Sequence, residues 1–318
     1  MDLAALCGYF CCGCGIACLL SVALYLTPII YLTLIAKPQD FRKKYGAWAV
    51  VTGGSSGIGK AVTRKLASQG VNVCIVALDD DLLRITHTEL QKEFPSVELR
   101  AVPVDLGSEP DAYMAKIATA TEDVRVSILI NNAGFLLMGF FDQRPMEQHI
   151  ANIECNALAA MRLTHYFYNR MVNQNIKGCI TFTSSAAFFM PAPFASMYGA
   201  TKAMISQFAV SLALEANSQG IDITVFHPSY THSNLYAKTP KLDVVTFLSK
   251  FGWTPEDVAN VIFASAGRVV VRDMGVYAIA TNMLSRYIDS GSLAKFIMPF
   301  VESMAPPGAI AERGKKEN

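Results

Sequence analysis

Two hydrophobic patterns divide the chain. The first is unbroken: residues 3–36 carry no charged side chain. As a helix they would extend roughly 50 Å at about 1.5 Å per residue, against a bilayer hydrocarbon core of about 30 Å. The second pattern begins at residue 47, where short apolar runs closed by glycine, asparagine or polar residues alternate with stretches of helical spacing. Apolar runs lie at 47–51, 71–77, 97–104, 126–130, 179–183 and 221–226, with 275–279 as a last strand. Such runs, separated by helical segments, read as strands buried on both faces of a parallel sheet. Helices are expected at 60–69, 147–171 and 203–214, and from Thr254-Pro255-Glu256-Asp257, where Pro occupies the first helical position. The class is α/β: a doubly wound parallel sheet with helices on both faces, preceded by an N-terminal transmembrane anchor.

Flanking charge separates an anchor from a cleaved leader. A signal peptide has an apolar core of about 7–15 residues preceded by basic residues. Here Asp2 precedes the apolar stretch, and Lys37, Arg42, Lys43 and Lys44 follow it. An anchor therefore fits better, and the basic flank puts the rest of the chain on the cytosolic side. One tilted or Pro28-broken span and a tight two-pass insertion both fit its length. Cys7, Cys11, Cys14 and Cys18 share one face of that helix beside Gly8, Gly13 and Gly15. Close helix packing is preferred there over acylation or metal binding.

Composition changes the picture little. The charge is nearly balanced, 27 basic against 26 acidic residues, so no nucleic-acid surface is expected. The apolar share of 52% is high, and the N-terminal stretch explains much of it. Cys74, Cys155 and Cys179 are scattered, which makes no disulfide framework and suits a reducing compartment. The histidines have no metal-ligand spacing, and no metal is expected.

Chemistry concentrates at the ends of the expected strands. After the first comes Thr52-Gly53-Gly54-Ser55-Ser56-Gly57-Ile58-Gly59, leading into a helix. A glycine turn so placed lets backbone amides approach a pyrophosphate without Cβ clashes. After the second comes Leu78-Asp79-Asp80-Asp81. An acidic group there suits the ribose hydroxyls of NAD, but a solvated helix start explains it as well, so NADPH versus NADH stays undecided. After the fifth comes Ser185, and Tyr198 and Lys202 follow at i and i+4 on one helix face. A phenol near pKa 10 is a slow acid at neutral pH, and a fixed ammonium beside it is expected to lower that value. A hydroxyl in reach adds a donor to a carbonyl oxygen. His227, beside the strand-ending Pro228, reads as structural.

Together, Thr52-Gly53, Gly57-Ile58-Gly59, Asn131-Asn132-Ala133-Gly134, Ser185 and Tyr198-x-x-x-Lys202 resemble a classical short-chain dehydrogenase/reductase over roughly residues 44–236. Residues 44–53 and the N-terminal anchor resemble, more loosely, the membrane-bound group of 17β-hydroxysteroid dehydrogenases and very-long-chain 3-oxoacyl-CoA reductases. The resemblance implies a Rossmann-type fold, an NAD(P)(H) cofactor and ketone–alcohol interconversion. It implies that Tyr198 is the general acid/base, that Lys202 lowers its pKa and holds the nicotinamide ribose, that Ser185 orients the carbonyl and that Asn156 holds a relay water. Gly53, Ser55, Gly57, Ile58 and Gly59 would line the pyrophosphate, Asp105 the adenine and Asn132 the adenosine ribose. Ala133, Gly134, Pro228 and Thr231 would complete the cofactor site. Three positions depart from the pattern: Ser229 where glycine is frequent, Leu78 where NADPH-using relatives often carry a basic residue, and Ser55-Ser56, which matches 3-ketosphinganine reductases.

The implied organisation is an anchor at 1–36, a basic linker at 37–46, a catalytic domain at 47–285 and a C-terminal extension at 286–318. Phe188, Phe189, Met190 and Phe194, with the run 135–141, fall where a lipophilic substrate would lie. Residues 232–250 read as an irregular segment covering the substrate. The apolar run 297–301 has packing against the domain as its default, with a membrane surface or a homodimer contact as alternatives. The tail Lys315-Lys316-Glu317-Asn318 looks like a dilysine retrieval signal of endoplasmic-reticulum membrane proteins. A non-catalytic dinucleotide-binding scaffold is the competing reading, and the presence of Ser, Tyr and Lys together weighs against it.

Overall fold

A computed structural model describes residues 3–237 and 243–305, with the backbone alone for 3–10, 243 and 244. Lys315 and Lys316 lie outside the described residues. Seven strands, β1 Trp48–Thr52, β2 Asn72–Ala77, β3 Leu99–Pro103, β4 Val126–Asn131, β5 Gly178–Thr183, β6 Ile221–Pro228 and β7 Val271–Met274, form one sheet. All pairings are parallel, in the order β3-β2-β1-β4-β5-β6-β7. The apolar runs form strands because both sheet faces are covered, so neither side-chain parity has to be polar. On one face Ala61, Val62 and Leu66 of α3 (Gly57–Ser68) pack with Val258, Ile262 and Phe263 of α10 (Pro255–Ser265). On the other, Ile117 of α5 (Pro110–Thr121), Leu163 and Phe167 of α7 (Ala159–Asn173) and Ile205 and Ala209 of α8 (Ser196–Ala216) close the core. Strand order reverses between β1 and β4, the place where open α/β sheets leave a crevice.

Thr254 caps α10 through a reciprocal capping box with Asp257, as the sequence suggested. The last strand is corrected: it is β7, and residues 276–285 form helix α11 (Val276–Ser285) instead. Gly275, at φ +85°, makes the turn between them. β7 was obscured by its charges, because Arg272 and Asp273 are both buried within it. The expected helix at 147–171 is α6 (Met146–Ile153) and α7 joined by a π-helical turn, Glu154–Leu158, that carries Asn156.

Residues 3–34 form a single helix, α1 (Leu3–Leu34), with Pro28 inside it, rather than a two-pass hairpin. Its stretch Cys11–Leu34 is long and apolar enough to cross a membrane. Cys11, Cys14 and Cys18 are exposed, and a Cβ built on Gly13 or Gly15 meets nothing within 4 Å. The expected packing partner of this face is thus absent among the described residues. The last turns of α1 are docked: the Tyr25 hydroxyl donates to Asp273 at 2.5 Å and Arg272 donates to Thr33 at 2.6 Å. Residues 37–46 are held as well, since Phe41 is fully buried and stacks on Phe263 at 4.2 Å. Near the C-terminus, α12 (Ser290–Ile297) leaves Phe296, Met298 and Phe300 exposed, against the default of packing on the domain.

Candidate active site

A crevice of about 550 Å³ opens at the carboxyl ends of β1, β4, β5 and β6. Its first wall is the turn after β1. Gly53 and Gly57 sit at φ +64° and +51°, backbone that glycine adopts without Cβ strain. No side chain caps α3 at Ser56, so the amides of its first turn, beginning at the crevice-lining Gly57 and Ile58, have no side-chain acceptor. An uncapped helix start behind a glycine turn suits a diphosphate, so the residues present fit a dinucleotide. Gly59 does not line the crevice; a Cβ there would meet the Gly53 carbonyl oxygen at 2.1 Å. It is the contact that seats the helix under the turn. Gly59→Ala is therefore expected to weaken NADPH binding at least about tenfold in a fluorescence titration, with the far-UV circular dichroism unchanged. Wild-type affinity would show that the turn is not the cradle.

Thr52, which the sequence analysis did not assign a role, ties this wall to the next. Its hydroxyl accepts from the amides of Asn132 and Ala133 at 2.9 and 3.0 Å. Asn132 Nδ2 donates to the Thr52 carbonyl at 3.1 Å. The β1 and β4 strand ends are thereby locked together. Asn132, Ala133, Gly134 and Asp105 all line the crevice, as do Pro228 and Thr231.

Besides Gly59, three expected residues do not line the crevice. Ser55 is buried and its carbonyl accepts from Thr86, while Ser56 faces the crevice in its place. Asp79 is on the surface, bonded to Arg84 at 3.1 Å, because the α4 (Asp81–Glu93) helix start draws it outward; Leu78 lines the crevice instead. Asn156 is fully buried with its amide turned to the main chain of Phe135, accepting from the nitrogen and donating to the oxygen, both at 2.9 Å. Its side chain clamps the loop after β4.

Ser185, Tyr198 and Lys202 converge on the inner wall. Lys202 is buried, its Nζ donates to the Thr183 carbonyl at 2.9 Å and lies 5.5 Å from the Tyr198 ring centre. Burial pushes its ammonium down to about 8. The phenol departs from the sequence expectation: burial raises its pKa, and the hydrogen bond from Ser185, not Lys202, is what opposes that rise. At neutral pH the phenol holds its proton. The arrangement offers a carbonyl oxygen a hydroxyl donor and a protonated phenol beside a buried cation. Beyond β6, Ser233, Asn234, Leu235 and Tyr236 cover the crevice, with Tyr236 stacked on Tyr230 at 4.5 Å. This is the covering segment expected at 232–250, of which 238–242 lie outside the described residues.

Behind the catalytic helix a polar chain runs inward. The Ser184 hydroxyl donates to the Lys202 carbonyl at 2.9 Å, Ser206 donates to the same carbonyl at 2.7 Å, and Ser206 meets His227 Nε2 at 2.9 Å. His227 Nδ1 meets Asp273 at 2.6 Å. His227 is thus structural, as expected, but within β6 rather than in a loop.

Comparison with known proteins agrees with this geometry. The family model described as short chain dehydrogenase matches residues 47–242. A very-long-chain 3-oxoacyl-CoA reductase-like protein of Arabidopsis thaliana is 30% identical over 71% of this chain and 72% of its own. A human protein named inactive hydroxysteroid dehydrogenase-like protein 1 is 29% identical over 70% of this chain and 66% of its own. A solved short-chain dehydrogenase from Sphingobium yanoikuyae in complex with NADPH superposes with a TM-score of 0.64 at 29% identity, covering 71% of this chain and 87% of that one. With its glycine turn, its strand-end crevice and its Ser–Tyr–Lys wall, this chain belongs to the short-chain dehydrogenase family and is an NAD(P)-dependent oxidoreductase of alcohols and ketones.

Proposed function

We propose that the protein is a membrane-anchored reductase converting a ketone on a lipophilic substrate, a 3-oxoacyl-CoA or a steroid, to a secondary alcohol. The observation that carries this reading is the convergence of Ser185, Tyr198 and Lys202 on one wall of the crevice, with the Lys202 ammonium 5.5 Å from the Tyr198 ring centre. Gly53, Ser56, Gly57 and Ile58 would hold the dinucleotide diphosphate, and Asp105, Asn132 and Lys202 its sugars and adenine. When bound, the reduced nicotinamide supplies a hydride. Ser185 donates a hydrogen bond to the carbonyl oxygen, and Tyr198 gives that oxygen its proton as negative charge develops there. Lys202, its ammonium 5.5 Å from the Tyr198 ring centre, would hold the nicotinamide ribose beside the phenol.

The anchor fits a substrate that partitions into lipid. With the last turns of α1 docked on the domain, residues 3–24 remain, and they rise roughly 33 Å at about 1.5 Å per residue, close to the hydrocarbon thickness of about 30 Å. Exposed Phe296, Met298 and Phe300 would rest on the same membrane surface. These features, with the basic residues that follow α1, favour a membrane location with the catalytic domain in the cytosol. The test is a panel of 3-oxoacyl-CoA, 17-ketosteroid and 3-ketosphinganine assayed with NADH and with NADPH. Turnover of none of them would favour a non-catalytic dinucleotide-binding protein, the reading that similarity to a relative named inactive suggests. In the same assay Asp79→Ala is expected to leave the NADPH:NADH preference within about twofold, whereas Leu78→Arg is expected to move it toward NADPH at least about tenfold, because a guanidinium there can pair with the 2′-phosphate.

A further inference from the structure

A second cavity, of about 430 Å³, lies where the docked end of α1 meets α8 and β7. It shares no lining residue with the crevice. Leu24, Pro28, Ile29 and Leu32 of α1 form one apolar side, and Val210 and Val271 contribute to the other. Its volume falls within the range of about 300–1,000 Å³ of ligand pockets.

The polar end carries an unbalanced charge. Arg272 lines the cavity and is only 2% exposed. One guanidinium nitrogen donates to Thr33, while Nε and Nη1 are buried with no hydrogen-bond partner. Among the described residues no carboxylate pairs with it. Asp273 lines the same cavity and is the negative charge that acts on Arg272, but its oxygens accept from Tyr25, Asn282 and His227 at 2.5, 2.6 and 2.6 Å rather than from the guanidinium. A second cation, Arg286, lies over the Tyr25 ring at 4.3 Å and also lines the cavity. Two buried guanidinium nitrogens without acceptors are unfavourable, and with Arg272 and Arg286 against Asp273 alone the cavity is matched to a further anion.

We propose that this cavity binds a long-chain carboxylate, its head group on Arg272 beside Arg286 and its acyl chain along the apolar side of α1. A planar carboxylate suits a guanidinium. The chain has an apolar path outward, since Leu20 and Leu24 are exposed on the same helix. The cavity's size favours one acyl chain over a two-chain phospholipid.

The test uses the full-length protein in zwitterionic nanodiscs, titrated calorimetrically with oleate, oleyl alcohol and acetate. Oleate is expected to bind saturably at one site, with oleyl alcohol and acetate each weaker at least about tenfold. Arg272→Met and Val210→Phe, which remove the charge and fill the apolar part respectively, are expected to weaken oleate at least about tenfold. Tyr198→Phe is expected to leave it unchanged, which separates this site from the crevice. If Arg272→Met does not fold, Val210→Phe and the oleyl alcohol comparison decide. Oleate binding unaffected by Val210→Phe, equal affinity for oleyl alcohol, or a bound phospholipid that oleate fails to displace would overturn the proposal.

Discussion

Tyr198→Phe is expected to lower turnover of a 3-oxoacyl-CoA or steroid ketone at least roughly 100-fold, the low end for removing a general acid. The substitution deletes one oxygen and keeps the ring, which is 8% exposed and packed in the crevice wall. Stability should change little, and dinucleotide affinity should stay within about twofold, because the turn and Lys202 are untouched. The loss should therefore appear in kcat, with the pH profile of the residual activity losing the limb due to the phenol. Equal turnover by the two proteins would remove Tyr198 from the chemistry. A matching loss of NADPH affinity would instead mean that the phenol acts in binding.

Lys202→Met is expected to separate stability from activity. Among the described residues the buried ammonium has the Thr183 carbonyl as its hydrogen-bond partner and no carboxylate in an ion pair with it. Its pKa falls from 10.5 to about 8 as burial disfavours the charge. The folded state therefore binds fewer protons than the unfolded state between about pH 8 and 10.5, and stability rises with pH across that window. Below pH 8 the buried charge is fully present and costs about 3 kcal/mol, from a shift of roughly 2.5 units at 1.36 kcal/mol each. Methionine of similar length removes that cost but leaves the Thr183 carbonyl without its donor, so a net gain of about 1–2 kcal/mol is expected at pH 7. Urea unfolding at pH 7 and pH 10, in one detergent, should show the variant more stable at the lower pH and without the alkaline rise. Activity should fall at least roughly 100-fold, since the cation that would hold the nicotinamide ribose beside Tyr198 is gone. A variant less stable than wild type at pH 7 would mean that the ammonium is better compensated than its single hydrogen bond indicates.

These two residues also mark how far the sequence could be read. Their i, i+4 spacing placed both on one turn of α8, and the apolar run before Ser185 placed that serine at a strand end; the structure brings all three to one wall. The direction of the phenol's shift was not legible, because it depends on how completely the helix is covered. Burial comes from residues far along the chain, and what opposes it is the Ser185 hydrogen bond rather than the neighbouring cation. Asp79 shows the same limit: an acidic residue after β2 is visible in the sequence, but whether it faces the crevice or Arg84 depends on where α4 begins. Asn156 was found by resemblance, and only the π-helical turn shows that its amide is spent on the backbone of Phe135.

The amino-acid order alone determined the alternation of strands and helices, the position of the glycine turn, the catalytic spacing and the uncharged N-terminal helix. Each is a local matter of hydrophobic period, backbone freedom and side-chain type, settled within a few residues. Tertiary structure decided what depends on distant partners. It made a charged segment, Arg272-Asp273, into the seventh strand, because Tyr25, Thr33, His227 and Asn282 arrive from separate parts of the chain to meet it. It joined the end of α1 to the domain and left two nitrogens of the Arg272 guanidinium in that junction without hydrogen-bond partners among the described residues. Burial and pairing are properties of the assembled molecule, and no window of neighbouring residues contains them.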